Sequence, residues 1–107
     1  MGTSPSSYTG SSLRAIRGHA SMQRGWVVSP DYRSVIEAII GVRVSQGLSQ
    51  RELARRLGKH PSFVNKIELL ERRLDVLEFI AMARAMEVNP KILFASVLAA
   101  LPVDVAI

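Results

Sequence analysis

At 107 residues the chain has the length of one domain, and its 48% hydrophobic content supports one modest core. It has no cysteine, which excludes a disulfide framework and a thiolate metal site, and its longest apolar run, 92–101, is broken by Ser96, closed by Pro102 and shorter than the roughly 20 residues of a membrane span. Fourteen Lys and Arg against nine Asp and Glu give a formal net charge of +5, suited to a polyanionic partner or to a merely basic, soluble surface.

Residues 1–28 form a basic N-terminal segment. The first twelve are mostly Ser, Thr, Gly and Pro and bury too little apolar surface to fold alone. Residues 13–28 add Arg14, Arg17 and Arg24, and no acid occurs before Asp31. The segment lacks the apolar stretch of a secretory signal, so the cytoplasm is the expected compartment.

Residues 29–101 read as one domain. Ser29-Pro30 is an N-cap followed by proline at the first helical position. Tyr32, Val35, Ile36, Ile39 and Ile40 then recur at helical spacing, and Gly47 closes this helix. Ser49 and Glu52 have the spacing of a capping box, which opens a second, short helix with Leu53, Ala54 and Leu57 inward and Gly58 after it. A third starts near His60-Pro61 and reaches about Leu70, with Val64 and Ile67 as core positions. Asp75 caps a fourth, with Val76, Phe79, Ile80, Ala83 and Met86 inward. Asn89-Pro90 starts a fifth, with Leu93, Phe94, Val97 and Leu98 inward, and Pro102 stops it. Five short helices with tight connections and no strand pattern predict an all-α bundle.

The second and third helices are joined by a few residues around a glycine, a geometry that can hold the second of the pair proud of the body. The residues themselves are more specific. Gly47-Leu48-Ser49-Gln50-Arg51-Glu52-Leu53-Ala54-Arg55-Arg56-Leu57-Gly58, then Phe63-Val64-Asn65-Lys66-Ile67-Glu68, resembles the lambda-repressor-like (Xre/Cro-type) helix-turn-helix family over about residues 35–93. The resemblance implies a five-helix DNA-binding bundle that regulates transcription, as repressor or activator. It also implies that Gln50 contacts the DNA backbone and steadies the recognition helix, and that Arg43 and Glu68 form a partly buried ion pair rather than two unrelated surface charges.

A helix turns about 100° per residue. With Pro61 at zero, Val64 and Ile67 define a core side, and Ser62, Asn65, Lys66 and Leu69 fall opposite. The expected base readers are therefore Ser62, Asn65 and Lys66: Asn suits adenine, Lys suits guanine or a phosphate, and Ser is permissive. Phe63 either meets a thymine methyl or packs on the second helix. Arg51, Arg55, His60, Arg72 and Arg73 flank the motif as backbone contacts, with a solvated charged face as the plainer reading of some.

Four positions depart from the family pattern: His60 replaces a small hydroxyl cap, Pro61 brings no polar side chain, Leu69-Leu70 replace a polar residue and glycine, and Glu87 stands where glycine commonly ends the fourth helix. Residues 102–107 form an apolar tail that extends Leu98 and Leu101 with Val103, Val105 and Ile107, and is expected to join a homodimer interface or to fold back on its own core. A two-fold dimer would present two recognition helices about 34 Å apart to a roughly palindromic operator on double-stranded DNA. The basic N-terminus serves either as an arm over that DNA or as a leader. Two histidines without further ligands at suitable spacing, no phosphate loop and no evident acid pair argue against a metal, a cofactor or an enzyme. The competing function is an antitoxin or other protein-interaction module of the same fold, whose main partner is another protein.

Overall fold

The structure, a computed structural model, describes residues 29–107. The basic segment 1–28, with Arg14, Arg17, His19 and Arg24, lies outside the described residues. Five helices follow in order: α1 Pro30–Ser45, α2 Gln50–Arg56, α3 Pro61–Glu68, α4 Val76–Ala85 and α5 Pro90–Ala99, with no strand among the described residues.

Local chemistry sets nearly every boundary. Ser29, Ser49, His60, Asp75 and Asn89 are the N-caps, each accepting from an amide of the first turn, and Pro30, Pro61 and Pro90 open three of the helices. The capping box falls elsewhere than expected. Ser49 accepts from the Glu52 amide at 3.0 Å, but the Glu52 carboxylate turns to Arg55 and Arg56, because two guanidinium groups one turn on offer stronger, charge-assisted bonds than one neutral amide. The reciprocal box is at α4, between Asp75 and Glu78.

The first four helices end alike. The residue after the C-cap takes positive φ at Gly47 (73°), Gly58 (69°), Leu70 (64°) and Glu87 (61°). Each donates its amide one turn back, and the following amide closes the wider loop, as in Leu70 to Ile67 and Glu71 to Lys66. These are Schellman motifs, two of them made without glycine. Helix α3 accordingly stops at Glu68, two residues before the expected end, with Leu69 as its C-cap.

The core joins Ile36 and Ile39 of α1, Leu53 and Ala54 of α2, Val64 and Ile67 of α3 with Leu70 just after it, Met82 and Ala83 of α4 with its C-cap Met86, and Leu93 and Val97 of α5. Helix α2 packs chiefly on α3, and α1 on α5. The inward faces of α4 and α5 differ from expectation. Val76, Phe94 and Leu98 are exposed, and Met82 is buried instead. Helix α5 is apolar almost all round, so its sequence carries no contrast between faces. Burial of Leu93 and Val97 turns Phe94 and Leu98 about 100° away from the core. Residues 102–107 turn back along α1, where the Ser29 hydroxyl donates to the Ala106 carbonyl (2.8 Å) and Asp31 accepts from its amide (2.7 Å). Val103 and Ile107 remain fully exposed. No helix among the described residues is long and apolar enough to cross a membrane.

Candidate nucleic-acid interface

Helix α3 is held by its inner face, where Val64 and Ile67 are buried, and by a polar cluster at its end. Glu68 accepts from Arg43 through both carboxylate oxygens (2.7 and 3.0 Å) and from the Gln50 amide (2.7 Å), while Arg43 also donates to the Leu48 carbonyl (2.7 Å). The Arg43 and Glu68 side chains are only 12% and 7% exposed. The cluster thus ties α1, the start of α2 and the end of α3 into one unit. Removal of either charge would strand the other, at a cost of about 3 kcal/mol for a pair this well covered. Gln50 therefore fixes α3 directly, at the N-terminus of α2.

The start of α3 is held differently. The His60 ring accepts at Nδ1 from the Ser62 amide (3.1 Å), which places the ring proton on Nε2, and the same nitrogen lies 3.0 Å from the Ser62 hydroxyl. An imidazole thus replaces the hydroxyl cap, and Ser62 is drawn toward it. Phe63 is half-buried against the core, and its ring carries two cations, Lys59 at 5.4 Å and Arg72 at 4.7 Å from the centroid. Arg72 is further held by both oxygens of Glu78 (2.9 and 2.6 Å). This pairing holds the Glu78 carboxyl below its ordinary range and raises Arg72.

On the outer face of α3, Asn65 and Lys66 are exposed, as is Leu69. Among the described residues, neither Lys66 nor the exposed Arg51 makes an ion pair. The other flanking cations are engaged. Arg55 is bound to both oxygens of Glu52 (2.9 and 2.6 Å), and Arg56 bridges Glu52 to the Ala85 carbonyl at the end of α4. Hydrogen bonds from Arg55 and then Arg56 hold the Glu52 carboxyl down to about 2. Arg73 stacks over Tyr32 of α1, 4.8 Å from the ring centroid, and so parts from Arg72. Two participants are less legible in sequence. Lys59 is marked only by its place after Gly58, and Glu78, which positions Arg72, is marked by its spacing from Asp75.

The arrangement is a short helix with a polar outer face, clamped at both ends and bordered by guanidinium and ammonium groups. No group of His, Asp and Glu that could hold a metal occurs among the described residues. A helix-turn-helix family model matches residues 40–93. Among solved structures, the chain is similar to an XRE-family like protein from Pseudomonas syringae pv. tomato str. DC3000, at 39% identity over 67% of this chain and 88% of that one, with a TM-score of 0.62. It shares the fold of a restriction-modification controller protein (20% identity, 64% of this chain and 91% of that one, TM-score 0.61). It also shares that of ClgR, the clp gene regulator from C. glutamicum (14% identity, 67% and 94%, TM-score 0.60). No match is found among curated protein sequences. The helix-turn-helix at α2 and α3, its match over residues 40–93 and its XRE-family relative establish that the chain belongs to the lambda-repressor-like, Xre-type helix-turn-helix family.

Proposed function

We propose that this DNA-binding transcription regulator reads double-stranded DNA with Asn65, Lys66 and Ser62 of α3, and that it acts as a homodimer on a roughly palindromic operator. The observation that carries the reading is the exposure of Asn65 and Lys66 on a helix whose opposite face and both ends are held. Asn65 suits adenine and Lys66 suits guanine, with Ser62 permissive beside its His60 partner. Arg51 is the backbone contact most ready to act, since it makes no ion pair among the described residues. Arg55, His60, Phe63, Arg72 and Arg73 line the flanks, and Gln50 reaches the backbone from the start of α2. Repression in the cytoplasm is the simpler mode, because a bound bundle blocks a promoter by occupancy alone.

Binding-site selection from a random duplex pool, followed by anisotropy titrations at several salt concentrations, tests this. Asn65→Ala is expected to relax choice at one base position, worth about 1–3 kcal/mol there. Arg51→Ala should weaken all sites alike and reduce the log–log salt slope by about 1. An equal loss from both variants across the selected sites would refute the division of roles. Absence of any binding at low salt would transfer the reading to a protein-interaction module, which the exposed Val76 and Leu77 on α4 would then serve.

A further inference from the structure

An apolar groove of about 560 Å³ runs between α1, α4 and α5, away from the residues assigned to DNA. Tyr32, Val35, Val76, Phe79, Phe94 and Leu101 form most of its wall. Three of these are aromatic, and Phe79 and Phe94 meet edge to face at 6.1 Å. A void of this size and character is seldom left to water in a folded protein.

We infer that the groove is the seat of the chain's own residues 25–28, with Trp26 as the anchor. Three observations carry this. The first is the tether: Trp26 stands three residues before Ser29, so an extended chain lets it reach about 10 Å from the α1 cap. Tyr32 and Val35 lie only about 5–9 Å along the helix from that cap. The second is continuity. A smaller depression lined by Ser29, Tyr32, Val35 and Leu101 adjoins the groove and shares three of these residues with it. The tail lines the same depression through Val105, Ala106 and Ile107, and Ala106 accepts from the Ser29 hydroxyl there. The third is chemistry. Trp26-Val27-Val28 is the only aromatic and β-branched run before the bundle, and Trp26 is the only tryptophan. Its ring finds the aromatic wall that indoles favour. Arg24, two residues away in a segment without acids, is opposite in charge to Asp75 on the groove lining. Leu77 and Leu98 remain outside the groove lining, open to a second copy.

The sole tryptophan is its own probe. In the full-length protein, Trp26 emission should be blue-shifted, and iodide quenching several-fold weaker, than in the urea-unfolded chain. Val76→Asp and Phe94→Glu, at side chains already 76% and 52% exposed, should shift emission to the red and restore quenching while helicity by circular dichroism is unchanged. Leu77→Glu, beside the groove, should leave both signals as they are. Solvent-like emission in the wild type, or protection indifferent to both groove variants, overturns the inference. Protection that vanishes on dilution overturns it too, since it assigns Trp26 to a partner copy. The measurement contains no DNA, so its outcome is independent of the DNA-reading proposal.

Discussion

Two residues occupy backbone conformations that glycine would adopt more cheaply, and they do so for different reasons. Leu70 and Glu87 both end helices at positive φ, where a Cβ costs about 1–2 kcal/mol. Leu70 is 4% exposed and packs in the core, so its burial offsets the strain. Glu87 is exposed, and its 3.8 Å contact with Arg56 is a surface pair of small worth. Glu87→Gly should therefore stabilise the fold by about 1 kcal/mol, from release of left-handed strain. Leu70→Gly, identical in backbone terms, should destabilise it by about 2 kcal/mol, from lost burial and the cavity left. Urea unfolding of the two variants checks this, and shifts of the same sign would show that burial does not decide the balance. The sequence marks both positions as departures from glycine. It does not say which is compensated, because compensation depends on what the rest of the chain brings to Leu70.

At the level of helices, the carboxylates act as ties. Glu68 binds α1 and α2 to α3, Glu78 holds Arg72 beside Phe63, and Glu52 gathers Arg55 and Arg56, the second of which reaches α4. Glu52 and Glu78 have carboxyls held below the ordinary range by these arginines, Glu52 down to about 2. A lowered folded-state value means that the unfolded chain takes up the proton first as pH falls. The stabilisation is complete above the unfolded value, about 4.3 for a glutamate, and is lost as pH drops from there toward about 2. The melting temperature should fall over that window, and Glu52→Gln should shallow the fall. An unchanged acid limb in that variant would contradict the role given to Glu52. Arg55 and Arg56 stand at i,i+3 and i,i+4 from Glu52, a spacing that favours such pairs, but in sequence that carboxylate reads as part of the capping box.

For the whole molecule, the apolar side chains left outside the core bear on assembly. Leu98 on α5 lies exposed outside the groove, and Val103 and Ile107 stand clear of the tail's contact with α1. A homodimer through this side should give a twofold mass in sedimentation, and Leu98→Glu should reduce it to one chain while helicity is retained. A wild type that stays monomeric at high micromolar concentration would remove the dimer from the proposal. The sequence by itself determined the five helices, their N-cap residues, the helix ends at Gly47 and Gly58 and the helix-turn-helix, because these rest on chemistry within four residues or on an apolar stripe with a polar opposite. Only the tertiary structure decided that Arg73 lies over Tyr32 and that Arg56 reaches Ala85, which side of an all-apolar α5 is covered, and that α1, α4 and α5 enclose a groove. Each of those outcomes depends on partners distant in the chain, and a local pattern carries no information about groups it has not yet met.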